Sequence, residues 1–101
     1  MDRPTITIDG KTIDMPTPKA RFWREIIKFE EGRKELTVEK FCDEHVNIIA
    51  RAFGVTGEEV LDSLDVDEIL PTYMNVLMYI MQLLTARLKV TKKNEDIEAQ
   101  V

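Results

Sequence analysis

The chain has 101 residues, 44% of them hydrophobic and 33% charged, with a formal net charge of -5 at neutral pH. That length accommodates one domain with a modest core, and the balance is that of a globular protein, not a disordered one. The acidity speaks against general nucleic-acid binding, which draws most of its affinity from a basic face, and against anionic membrane surfaces. A single cysteine, Cys42, leaves no intramolecular disulfide and no zinc site of several thiolates. The N-terminal MDRPTITIDGKTIDM lacks the apolar stretch of a signal peptide. The most apolar run, Leu70 to Leu84, is shorter than the ~20 residues of a bilayer span and is broken by Asn75 and Gln82. A cytoplasmic protein, neither secreted nor membrane-bound, is expected.

TITIDGKTIDM predicts a β-hairpin. Ile6 and Ile8 alternate with Thr5, Thr7 and Asp9, and Ile13 and Met15 resume the pattern after Asp9-Gly10, a dipeptide suited to the positive φ of a tight primed turn. A lone hairpin is marginal in water, so it must lie on a helix, join other strands or pair with another chain. Thr17 fits an N-cap with Pro18 at the first helical position. The helix KARFWREIIKFEEG follows and closes at Gly32, with Phe22, Ile26 and Phe29 as its stripe, Trp23 and Ile27 beside it, and Lys19, Arg21, Arg24 and Lys28 opposite.

A second helix is expected from Thr37 to Gly54, burying Val38, Phe41, Cys42, His45, Ile48, Ile49 and Ala52. Thr56-Gly57-Glu58-Glu59 has capping-box spacing, which places a short helix over Glu58 to Leu64. Asp65 is positioned to cap a further turn with Glu68. Pro71 is tolerated only in a first turn, so a long helix should begin near it and run to about Leu88. The fold expected is mainly α: an N-terminal hairpin and about four helices in one domain, 1–88, with a polar, disordered tail over 89–101.

The last helix carries two apolar stripes. Leu70, Met74, Leu77, Met81, Leu84 and Leu88 recur in alternating steps of four and three, a heptad-type seam. Tyr73, Val76, Ile80 and Leu83 form a second stripe beside it, leaving Thr72, Asn75, Tyr79, Gln82 and Ala86 as the more polar remainder. Either the helix is central and buried from several sides, or one stripe packs inside and the other meets a partner chain. The methionines suit an adaptable contact surface and an irregular core equally.

No catalytic, cofactor-binding or metal-ligating set emerges. Cys42 and His45 stand one helical turn apart, the spacing of a thiol–imidazole pair, but on the apolar side of their helix, where a core cysteine and a hydrogen-bonded histidine are the plainer expectation. DSLDVDE lacks the glycine and the spacing of a calcium loop, and no phosphate-binding loop occurs. Trp23 with Arg21, Arg24 and Lys28 suits a protein contact better than a nucleic acid, since Trp and Arg are enriched at interface hot spots. The expected partner-binding residues are Tyr73, Val76, Leu77, Ile80, Met81 and Leu84, with Trp23 and Arg24.

Three segments together resemble the small tail assembly chaperones of long-tailed phages and prophages of Gram-positive bacteria: the hairpin TITIDGKTIDM, the helix PTPKARFWREIIKFEE, and VLDSLDVDEILPTYMNVLMYIMQLL with its Asp67-Glu68-Ile69-Leu70-Pro71 entry. The resemblance covers the chain to about Leu88. It implies a non-enzymatic protein, without cofactor, that coats the long helical tape measure protein during assembly, recruits tail tube protein, and is absent from the finished particle. It further implies a longer form made by frameshifting, with which Lys92-Lys93-Asn94 is compatible. A possible homo-oligomer is also expected. The alternative is a dimerising adaptor or connector-type morphogenesis protein whose apolar helix is a fixed dimer core.

Overall fold

In the computed structural model residues 2–99 are described, with side chains through Ala86. Strands β1 (Thr5–Ile8) and β2 (Lys11–Asp14) pair antiparallel, with Ile6 opposite Ile13 and Thr7 opposite Thr12. Asp9 and Gly10 have φ of 50° and 76°, the positive pair that a primed two-residue turn demands. Period-two alternation puts Ile6 and Ile8 on the buried face and Thr5 and Thr7 in solvent. Met15 follows them inside, its N–H donating to the Pro4 carbonyl at 2.9 Å. Two strands are too few to stand alone. This pair is held by the helices beneath it: β1 rests on α3, and the Arg3 guanidinium lies 5.8 Å from the Tyr79 ring centre on α4.

Helix α1 (Ala20–Gly32) starts later than Thr17-Pro18 suggested. Lys19, extended, is the residue whose carbonyl accepts the first intrahelical bond, from Phe22 N–H at 2.9 Å, which is what defines the cap position. Ile26 and Phe29 are buried, and Trp23 and Ile27 are exposed beside them. A 3-10 turn (Arg33–Glu35) leads to α2 (Val38–Phe53), capped by the Thr37 hydroxyl accepting from Lys40 N–H at 3.2 Å. It ends at Gly54 with φ 72°, a left-handed residue whose N–H reaches the Ala50 carbonyl.

The buried side of α2 differs from the expectation. Val38 and Cys42 are exposed and Phe41 is half-buried, whereas Val46, Ala50 and Phe53 join His45, Ile48, Ile49 and Ala52 inside. The reason is length. The first two turns of α2 border an open cleft, whereas its second half is covered on several sides and loses the one-faced pattern.

Helix α3 (Gly57–Ser63) carries the reciprocal cap read from Thr56 and Glu59: Glu59 N–H donates to Thr56 Oγ1 at 3.1 Å and Thr56 N–H to Glu59 Oε1 at 2.9 Å. A 3-10 turn (Val66–Glu68) follows, with the Glu68 carboxylate accepting from Asp65 N–H at 2.7 Å. Helix α4 (Ile69–Ala99) then holds Pro71 in its first turn and continues past Leu88, the predicted end. The side chain of Leu88 and the polar tail expected over 89–101 lie outside the described side chains, and residues 100–101 outside the described chain. The architecture is therefore mainly helical: a two-stranded hairpin and, among the described residues, four α-helices with the last one long and apolar. One core joins Ile6, Ile8 and Met15 to Ile26, Phe29, Ile49, Val60, Val76 and Ile80.

Candidate partner-binding surface

The two stripes of α4 have different fates. Tyr73, Val76 and Ile80 are buried, and Leu83 is half-buried against the core. Tyr79, grouped by sequence with the polar remainder, is buried as well, its ring lying under the Arg3 guanidinium; the spacing 73, 76, 80 leaves room for 79 on the same inner arc. The heptad seam faces out. Leu70, Met74 and Met81 keep 46%, 43% and 48% of their surface in water and neighbouring Met78 keeps 55%, while Leu77 and Leu84 are half-buried. So large an apolar face on a small acidic protein is the kind of feature that marks a contact site.

A cluster of polar and aromatic groups sets which stripe turns inward. His45 of α2 packs edge-on against Phe29 at 4.8 Å and Tyr73 at 4.7 Å between ring centres, and tilted against Phe41 at 4.4 Å. The Arg33 guanidinium lies over Phe29, Phe41 and Tyr73 at 5.9, 5.2 and 5.8 Å, within cation–π reach. Glu30 ion-pairs with Arg33 at 3.1 Å and accepts the Tyr73 hydroxyl. One side chain of α4 is thus tied to α1, the turn after it, and α2 together. Burial and the Glu30 hydrogen bond both push the Tyr73 pKa up, so the hydroxyl stays protonated and donating.

His45 is fully buried, and its Nδ1–H donates to the Phe41 carbonyl at 2.7 Å; a carbonyl only accepts, so the proton sits on Nδ1. Its Nε2 is enclosed without a hydrogen-bond partner. Neither ring nitrogen therefore engages Cys42, which is exposed rather than in the core. The thiol–imidazole pair permitted by the spacing is not formed.

Burial lowers the His45 pKa below 6.5, with Arg33 acting the same way and the Phe41 carbonyl and Glu30 acting against it. At neutral pH the imidazole is uncharged folded or unfolded. As pH falls through 6.5 the unfolded chain takes up a proton that the folded chain accepts only lower down, so stability falls across that window. This is the chain's one histidine. The expected result is a lower urea midpoint at about pH 5.5 than at about pH 7.5, a drop that His45→Phe flattens. An unmoved midpoint contradicts the burial.

The outer seam of α4 runs into a cleft of about 270 Å³ between α2, α3 and the start of α4, lined by Phe41, Leu61, Leu64, Val66, Ile69 and Leu70. Leu61 and Val66 on its rim are themselves exposed. Leu70 belongs to both features, and Met74 stacks one turn above it, as residues four apart do on a helix. The cleft was not legible beforehand, because its walls come from three elements and only the exposed Leu61 and Val66 hint at it. Trp23 and Arg24 stand elsewhere, on the outward side of α1, where Arg21, Arg24, Glu25 and Lys28 line a shallow polar groove. Of the expected contact residues on α4, the structure exposes Met81, leaves Leu77 and Leu84 half-buried at the edge of the core, and turns Tyr73, Val76 and Ile80 into it.

By length and composition Val66–Ala86 could reach across a bilayer, which the shorter run Leu70–Leu84 had not suggested, and 22% of that stretch is buried within the protein. Its inner arc, Tyr73, Val76, Tyr79 and Ile80, is taken by the protein's own core. No curated protein matches the chain, and no solved structure matches it. A family model described as phage tail chaperone protein matches residues 2–99, which include the hairpin, all four helices and the exposed seam. A match over that span shows that the chain belongs to the phage tail chaperone protein family.

Proposed function

We propose that this protein binds and solubilises the tape measure protein during tail assembly and recruits tail tube subunits to it, working in the host cytoplasm without catalysis. The observation that carries this reading is the outer side of α4, where Leu70, Met74, Met78 and Met81 are exposed and Leu77 and Leu84 half-buried between them, with no charged residue from Ile69 to Ala86. Such a seam suits an amphipathic helix laid along it, with anchors every three or four residues. The chain's net charge of -5 keeps a complex with an apolar client soluble. Binding energy of this kind needs no chemistry, and the exposed thioethers can repack against varied client sequence.

The test is co-expression with the tape measure protein, affinity purification, and the mass of the complex. The expected result is a soluble complex holding several copies of this chain per client. If this chain purifies as a discrete dimer while the client precipitates, the dimerising-adaptor reading takes its place.

A further inference from the structure

We infer that the outward face of α1 is a second docking surface, and that its occupant is an acidic amphipathic helix of a partner protein. The face shares no lining residue with the cleft beside α4. Two exposed rows lie side by side on it. Trp23 and Ile27 form an apolar row, four residues apart. Arg24 and Lys28, also exposed and four apart, form a basic row next to it, which Arg21 extends by three residues toward the N-terminus. Lys19 is exposed just ahead of them. The chain as a whole carries -5, so this local charge is opposite in sign to the rest.

The protein's own acids do not answer these bases. Of the three acids of α1, Glu25 is ion-paired with Arg51 of α2 and Glu30 with Arg33, which leaves Glu31 in the last turn. Among the described residues Arg21, Arg24 and Lys28 make no ion pair. They also work against their own helix. Arg21 stands in a first turn that holds no acid, where the helix dipole favours acids. Arg21 and Arg24 are three apart and Arg24 and Lys28 four apart, spacings at which like charges on a helix repel. Carboxylates laid against the face relieve both costs. The spacing then describes the occupant. Arg21 to Lys28 covers roughly 10 Å at about 1.5 Å per residue. A helix lying alongside meets that stretch with acids at steps of three and four, and apolar residues on its adjoining row reach Trp23 and Ile27. Trp and Arg are the residue types in which contact energy concentrates. A phosphate backbone would satisfy the bases but leave Ile27 in water and bring its charge up to Glu31.

The chain has one tryptophan, so Trp23 emission reports on this face directly. The probe is a capped synthetic helix of about 18 residues, above the marginal length for an isolated helix, with Glu at steps of three and four and Leu on the adjoining row. Titrated into the full chain, it is expected to shift Trp23 emission to the blue as the indole leaves water. Molar salt should weaken the binding several-fold. Arg24→Gln with Lys28→Gln should weaken it several-fold as well, and Arg21→Glu, Arg24→Glu and Lys28→Glu together at least about tenfold. The same peptide with Lys in place of Glu is expected to leave the parent's Trp23 emission unmoved and to shift that of the charge-reversed variant. Far-UV circular dichroism checks that each variant is folded, and the neutralised pair decides alone if the reversed one is not. A Glu peptide that leaves Trp23 emission unmoved, or that binds parent and neutralised variant equally, overturns the inference. A scrambled peptide of the same composition that binds as tightly overturns the helical register. A DNA duplex that shifts the emission at lower concentration than the peptide assigns the face to phosphate and overturns the protein partner. None of these readouts involves the tape measure protein, so the reading of α4 is tested separately.

Discussion

Tyr73→Ala is expected to cost about 3–5 kcal/mol, the range for emptying a fully buried aromatic site, and so to remove a large share of the 5–15 kcal/mol that a domain of this size has in all. The side chain is fully buried, and its loss removes the edge-on partner of both Phe29 and His45 and a face over which Arg33 sits. Tyr73→Phe keeps the ring and deletes only the hydroxyl donated to Glu30. Glu30 is partly in water and can be resolvated, so that variant should lose only about 1–2 kcal/mol. Urea denaturation of the two variants beside the parent checks both figures. A Tyr73→Ala protein within 1 kcal/mol of the parent would mean that α4 is not held through this cluster.

The legibility of the fold divides along the same line. Signals confined to a few residues read correctly: Asp9-Gly10 gives the positive φ pair, Thr56 and Glu59 cap each other, and Pro71 sits in a first turn. Each is a local matter of backbone conformation or a hydrogen bond between residues three apart. The orientation of α4 is not local. Its two stripes are about equally apolar, so periodicity has no preference between them. The choice is made by contacts such as Tyr73 with Glu30, 43 residues apart, and by Arg3 over Tyr79. The same holds for α2, where the one-faced pattern fails in the half covered from several directions. Three of the eight expected contact residues, Tyr73, Val76 and Ile80, therefore turned out to be core: pattern alone finds apolar residues, and only the packing says which of them are already satisfied.

That division has a consequence for solubility. The inner stripe of α4 supplies its fully buried side chains and Leu77 and Leu84 add partial contact with the core, so within the outer stripe it is the exposed Leu70, Met74 and Met81 that contribute least to the monomer's own stability. An exposed apolar seam invites nonspecific association. The acidic approach around Asp65, Asp67 and Glu68 and the net negative charge oppose it by mutual repulsion, and an ordered partner on the seam removes it. The seam is retained at a cost in colloidal stability, which is understandable if binding is its purpose.

Ile80 and Met81 are neighbours in sequence and should respond to the same substitution in opposite ways. Ile80 is 2% exposed and Met81 48% exposed. An aspartate at position 80 would have to be buried without a partner, a cost of several kcal/mol that leaves Ile80→Asp largely unfolded. At position 81 the new carboxylate stands in water, so Met81→Asp should stay within about 1 kcal/mol of the parent, most of it helix propensity. Function is expected to follow the reverse order. Met81→Asp, alone or with Met74→Asp, should melt like the parent yet fail to keep the tape measure protein soluble, because a charge in the middle of an apolar seam must be desolvated when a helix lies across it. Thermal melts and co-purification of the same samples give both readouts. If Met81→Asp and Met74→Asp retain the client in full, the client contact lies elsewhere on the molecule, and the patch of Trp23 and Arg24 becomes the next surface to charge-reverse.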